Sequence, residues 1–200
     1  MTTMIEIERP APAPVLAPAK QRILDTADVL FYDEGIRAVG VDRLISASSV
    51  TKATFYKHYG SKDRLIGDYV DHRHRQAVIE LAELVEQHSS PEAALRALQE
   101  TISSWISSPE FRGCPFINAA AEFSDPTHPV RGSVVAHREW FVGSLEQLLR
   151  GLGHPLPGEA ADDLVLARDG AMTGGYAGDP IAASTALARA FDRVIGDARA

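Results

Sequence analysis

From Lys20 to the end of the chain, apolar residues recur at three- and four-residue spacing, and no stretch alternates apolar with polar. Only a helix buries a stripe of that period, because successive side chains of a strand face opposite ways. Ile23, Ala27, Leu30 and Phe31 form the first stripe, and Gly35 ends it. A short second helix follows Gly40, with Val41, Leu44 and Ile45 inward. The break Ala47-Ser48-Ser49-Val50 separates it from a third short helix through Thr51–Lys57. Ser61 caps a long fourth helix, and Ser90-Pro91 opens a fifth that buries Leu95, Leu98, Ile102, Trp105 and Ile106. A short helix carries Phe116, Ile117, Ala120 and Phe123, and Pro129 starts another that runs to about Arg150. After a Gly/Pro connector at 151–158, two helices near 159–177 and 180–198 close the chain. The fold class is all-α.

A chain of 200 residues makes one ordinary domain or two small ones and buries enough surface to need no disulfide. The lone Cys114 suits a reducing cytoplasm. Hydrophobic residues at 45% and charged residues at 24% exclude a disordered or collagenous chain. No apolar run approaches the ~18 residues of a helical membrane span, and the N-terminus lacks a basic-then-apolar leader, so no membrane partner is expected. Four prolines among residues 9–18 forbid regular structure there, and residues 1–19 are expected to be a disordered Pro/Ala-rich tail.

The net charge of −7 hides a division. Between positions 43 and 64, Arg43, Lys52, Lys57, Lys62 and Arg64 face only Asp63, whereas residues after 75 are strongly acidic. Such an asymmetry suits a polyanion-binding patch, although a solvated helix face with a chance excess of lysine would look the same. Two short helices joined by a tight turn and braced by a preceding helix form a helix-turn-helix, whose second helix enters the DNA major groove. On the third helix, Val50, Phe55 and Tyr59 point inward. Thr51, Lys52, Ala53, Thr54, Tyr56, Lys57 and His58 remain available, and most carry groups that donate to phosphates and base edges.

The run Val50-Thr51-Lys52-Ala53-Thr54-Phe55-Tyr56-Lys57-His58-Tyr59-Gly60-Ser61-Lys62 resembles the recognition-helix signature of the tetracycline-repressor (TetR/AcrR) family. Arg22-Ile23-Leu24-Asp25-Thr26-Ala27, with Leu30, Phe31 and Gly35, resembles that family's first helix. The resemblance implies a three-helix DNA-binding domain over 20–66 and a helical effector-binding and dimerisation domain over 67–200. It implies that Lys52 and Ala53 read bases with Lys57 beside them, and that Thr54, Tyr56, His58 and Lys62 grip phosphate, with Arg43 reaching DNA from the second helix. Lys62 opens a helix, where a cation opposes the macrodipole, and that cost points to another role. Two residues depart from the family pattern: Ser49 stands where the turn usually has glycine, and Gly40 where a hydroxylic residue usually opens the second helix. Both can shift the docking.

A single recognition helix gives little specificity, so a homodimer on a palindromic double-stranded operator is implied. The expected interface uses Leu164, Ala171, Met172, Gly175 and Tyr176 with Leu187, Phe191, Val194 and Ile195, although these stripes could equally cover the monomer's own core. Between the two ends lies the expected sensor, with Trp105, Phe116, Phe123, Trp140 and Phe141 as apolar lining and Asn118 and His137 as polar anchors for an unknown small-molecule effector. The resulting function is a cytoplasmic transcriptional regulator, a repressor released by an apolar ligand. The alternative is a helical adaptor that kept the fold and lost DNA binding.

No catalytic, metal or cofactor site is expected. Cys114, Asp125, His128 and His137 lie close in sequence but without zinc-type spacing, and His72 and His74 point to different helix faces. There is no phosphate-binding glycine loop and no nucleophile elbow. Cys114 reads as a small apolar residue at a helix start, with an electrophile-sensing thiol as the sharper alternative.

Overall fold

The structure, a computed structural model, describes residues 7, 9–11 and 15–199. Among them are nine helices and no strand: α1 (Pro18–Glu34), α2 (Val41–Ala47), α3 (Lys52–Tyr59), α4 (Lys62–Glu86), α5 (Pro91–Ile106), α6 (Pro115–Glu122), α7 (Pro129–Leu152), α8 (Pro157–Ala177) and α9 (Pro180–Asp197). Proline stands in the first turn of α1, α5, α8 and α9, where its missing N–H costs nothing. Ser90 accepts the Ala93 N–H, and Asp179 accepts those of Ile181 and Ala182, so both expected caps form.

The chain folds into two compact units. One holds residues 10–76 and 115–136, the other residues 1–9, 77–114 and 137–200. A single cut at 66/67 assigns residues 115–136 to the C-terminal domain, whereas packing groups them with the N-terminal helices. The first unit is built on α1, whose Ile23, Leu24, Ala27 and Phe31 are buried against α2 and α3. Tyr69 of α4 meets Phe31 edge-on with ring centroids 5.4 Å apart, a geometry worth about 0.5–1.5 kcal/mol beyond burial. Arg73 adds a hydrogen bond of 3.2 Å to the Asp28 carbonyl and lies over the Tyr32 ring.

In the second unit α8 and α9 pair as a hairpin, and α5 packs on both. Leu95, Leu145, Leu148, Leu149, Leu164 and Met172 are fully buried there. The N-terminal tail expectation needs correction where the structure describes it. Ile7 is buried, Arg9 pairs with Glu86 at 2.6 Å, and α1 begins at Pro18. Residues 1–6, 8 and 12–14 lie outside the described residues. The connector after α7 is also shorter than expected, because helix continues through Gly151 and Leu152 and resumes at Pro157.

Candidate nucleic-acid interface

Helices α2 and α3 are joined by a turn whose backbone closes as a Schellman motif. Ser49 N–H donates to the Ser46 carbonyl at 3.2 Å, and Val50 N–H to that of Ile45 at 3.3 Å. That motif requires a left-handed residue after the helix, and Ser49 supplies it at φ 53°. The turn geometry is therefore the one glycine favours, adopted by a serine at a steric cost. Ser48, buried just before it, donates its hydroxyl to the Leu44 carbonyl at 2.6 Å. At the other end of α2, Gly40 offers no side-chain cap.

Two aromatic residues hold α3 against the unit. Phe55 is fully buried, and Tyr59 is buried with its hydroxyl donating to the Lys20 carbonyl at 3.1 Å. Burial, with Asp68 and Asp25 nearby, pushes the Tyr59 phenol well above its ordinary pKa, so it stays protonated. Lys20 pairs with Asp68 at 2.9 Å and lies over the Tyr59 ring, tying α1, α3 and α4 together. Gly60 ends α3 at φ 70° and donates to the Tyr56 carbonyl at 3.0 Å. The chain turns there directly into α4, where Ser61 accepts the Arg64 N–H at 3.2 Å.

The opposite face of α3 carries the residues expected to meet DNA. Thr51, Lys52, Ala53, Tyr56 and Lys57 are exposed, while Thr54 and His58 are half-buried and Val50 is only half-covered. No acidic residue lies on α3, and neither Lys52 nor Lys57 forms an ion pair among the described residues. Tyr56 stands 44% exposed with its ring edge-on to Phe55, so the phenol is braced by the core and presented outward. Thr51 has a structural duty, since its hydroxyl oxygen accepts the Thr54 N–H at 3.1 Å as the cap of α3.

Two of the expected contacts are engaged elsewhere in the free protein. Arg43 pairs with Glu34 at 3.1 Å. Lys62 is half-buried with its ammonium over the Phe31 ring, and burial lowers its pKa against the opposing pull of Glu122 and Asp63. Glu122 itself was missed in the sequence. The available signal was an acid at the C-terminal end of α6, where the macrodipole disfavours it.

The seven residues expected to form the effector site divide between the two units. In the first, Phe116 and Phe123 are buried and Asn118 is half-buried. Phe123 is committed locally, stacked on His128 at 4.2 Å with Arg37 over its ring. In the second, buried His137 lies 5.4 Å from Trp140 and 6.5 Å, nearly parallel, from Phe141. Trp105 is not in that cluster and meets Phe111, which in turn meets Tyr176. Cys114 is buried, with Arg168 donating to its sulfur at 3.3 Å and lying over Phe141.

The expected dimer contacts also need revision. Leu164, Ala171, Met172, Leu187, Phe191, Val194 and Ile195 are all buried in the monomer's own core. Gly175 is half-buried against Ile106 of α5, and Tyr176 alone of the nine is exposed. The large apolar side chains that do face outward on this hairpin are Leu166, Tyr176 and Ile181, at 63%, 57% and 77% exposure.

Comparison with known proteins agrees with this geometry. Residues 23–69 match the profile described as bacterial regulatory proteins, tetR family, and residues 91–151 match that described as tetracyclin repressor-like, C-terminal domain. SCO4454, a TetR-family transcriptional regulator from Streptomyces coelicolor, superposes with a TM-score of 0.87 and 38% identity, covering 91% of this chain and 96% of that one. The regulatory protein TetR from Rhodobacter sphaeroides shares the fold at a TM-score of 0.78 and 20% identity, over 88% of this chain and 98% of that one. In sequence, the HTH-type transcriptional regulator LmrA of Bacillus subtilis is 28% identical over 138 residues, 68% of this chain and 73% of that protein. Among the described residues no helix is long and apolar enough to cross a membrane, and no group of three or more His, Cys, Asp or Glu residues could hold a metal.

Proposed function

The chain belongs to the TetR family of DNA-binding transcriptional regulators, and from that premise we propose a ligand-released repressor acting on a palindromic operator in the cytoplasm. The observation that carries the reading is the outer face of α3, acid-free and basic on a chain of net charge −7. Lys52 and Ala53 read base edges with Lys57 beside them. Thr51, Thr54, Tyr56 and His58 hold phosphate from the same helix, and Lys62 and Arg43 do so from α4 and α2. An adaptor that had abandoned DNA has no use for such a face.

The operator is met by two copies of the chain whose recognition helices stand about 34–36 Å apart, or a multiple of that. The pairing face lies on the outer side of the α8–α9 hairpin. Leu166, Gly170, Thr173, Gly174 and Ala177 of α8 are exposed there at helical spacing, beside Tyr176 and Ile181. Small residues let paired helices approach closely, while Leu166 and Ile181 supply apolar area. For the effector, the aromatic cluster of His137, Trp140 and Phe141 gives apolar walls with one polar anchor. A ligand that prefers the conformation with mis-spaced recognition helices weakens operator binding by about 1–3 kcal/mol of coupling.

The test is binding of the purified protein to its own upstream DNA at two salt concentrations. Affinity should fall steeply with salt as phosphate contacts release counterions. Lys52→Ala should cost about 1–3 kcal/mol at particular base pairs, whereas Tyr56→Ala should weaken every sequence alike. Leu166→Arg should yield monomers in sedimentation and lose operator binding with an intact helix spectrum. Unaltered binding by both Lys52→Ala and Tyr56→Ala overturns the assignment.

A further inference from the structure

Lys62, the first residue of α4, and Glu122, the last of α6, each carry the charge that their helix end disfavours. Both belong to the unit that contains α3, and their charges act on one another. The Glu122 carboxylate has a second engagement. Its Oε1 accepts the Ile36 N–H at 2.9 Å and its Oε2 accepts the Arg37 N–H at 2.6 Å. These are consecutive amides in the turn between α1 and α2, directly after Gly35 at φ 92°. The neighbouring residues reinforce the joint. Arg37 lies 5.4 Å over the Phe123 ring, Phe123 stacks on His128, and Arg131 donates to the Ala120 carbonyl at 3.0 Å.

We propose that Glu122 is a positioning residue for operator recognition, which fixes the α1–α2 turn to the end of α6 and so sets where α2 and α3 stand. The carboxylate adds a polar anchor where α2 lacks one at its start: Gly40 caps it without a side chain. Two charge-assisted bonds from one carboxylate hold both amides, each bond stronger than a neutral one. The segment 115–136 that carries Glu122 lies in sequence between two stretches of the other unit, entering at 114/115 and leaving at 136/137. A displacement of α6 therefore reaches the recognition helix through this carboxylate. This deepens the DNA-binding reading and rests on it.

Glu122→Gln keeps the length of the side chain but leaves one acceptor and sets an amide NH2 against the second backbone N–H. Glu122→Asp keeps the charge but is too short for the same pair of bonds. In both variants, amide exchange at Ile36 and Arg37 should speed at least tenfold, and the ratio of operator to non-operator affinity should fall about tenfold. Non-operator affinity should hold or rise in Glu122→Gln, since a negative charge near Lys62 is gone. A purely electrostatic role predicts a wild-type ratio for Glu122→Asp, and a merely stabilising one predicts equal losses on both DNAs. A ratio within about twofold of wild type in both variants, or unaltered exchange at the two amides, overturns the proposal. If Lys52→Ala reduces specificity while the Glu122 variants do not, only this inference fails. A wild-type protein with no operator preference removes the DNA-binding reading as well.

Discussion

A methyl group added at Gly175 tests where the α8 helix makes its closest approach. An ideal Cβ there would stand 2.4 Å from Ile106 Cγ2, against the ~3.5–4.0 Å of ordinary carbon contact. Ile106 is buried at the end of α5, and its β-branched side chain has one favoured rotamer in a helix, so it cannot swing aside cheaply. Gly175→Ala must therefore part α5 and α8 by roughly 1 Å, an overpacking cost of about 1–3 kcal/mol. Replacing a helical glycine by alanine returns about 1 kcal/mol, leaving a net loss of up to about 2 kcal/mol. Gly143 of α7, in the same unit, has nothing within 4 Å of its ideal Cβ, so Gly143→Ala should gain about 1 kcal/mol. At about 2–4 °C per kcal/mol the Gly175→Ala variant should melt about 2–12 °C below Gly143→Ala, by far-UV circular dichroism at fixed protein concentration. Ile106→Leu, which removes the β-branch methyl, should recover much of the loss in the double variant, with a coupling of about 1 kcal/mol or more. The separation should not vary with protein concentration, because the crowding is within one chain. Gly175→Ala melting at or above Gly143→Ala would refute the packing argument.

Two further outcomes follow from local geometry. Ser49→Gly should stabilise the DNA-binding unit by about 0.5–1 kcal/mol, because serine holds a left-handed φ of 53° that glycine adopts freely. An unchanged or lowered melting temperature would mean that the Schellman turn stores no strain. For His74, burial lowers the pKa below the ordinary 6.5, outweighing the opposing pull of Asp71, while Arg75 adds to the lowering. The unfolded chain therefore takes up the proton first, so the stability held above about pH 6.5 declines as pH falls and levels off beneath the lowered folded value. Melts between about pH 7.5 and 5.5 should show a smaller acid loss for His74→Gln than for the wild type, and identical profiles would contradict that sign.

The helices were legible because each physical signal is local. Gly35 and Gly60, Ser90-Pro91 and Asp179-Pro180 mark helix ends through their own backbone chemistry, and the observed boundaries lie within about two residues of them. On α3 the assignment of Phe55 and Tyr59 inward and Tyr56 outward also followed from period alone. Contacts between distant residues were not legible. The partnership of Arg43 with Glu34 is nine residues long, and that of Glu122 with Ile36 spans eighty-six. In the sequence Phe123 and Trp105 read alike as pocket lining, with His137 as a polar anchor of the same pocket. In the structure each packs against a different set of neighbours, because spacing along a helix does not say which helix will face it.

The misplaced contacts on α8 and α9 have a physical reason of the same kind. A helix that buries one side on its own chain writes that side most strongly in the sequence, as Leu164, Met172, Leu187, Phe191 and Ile195 do. The opposite side of α8 is exposed, small and only sparsely apolar: Gly170, Thr173, Gly174 and Ala177, with Leu166 above them. The strongest stripe is therefore evidence for intramolecular packing, and a helix with a second, weaker stripe of small residues is the one with a face to spare. Gly175 lies at the border between the two. Its close approach to Ile106 belongs to the first stripe, while Gly174 beside it has only Ala183 Cβ at 4.0 Å from its ideal Cβ.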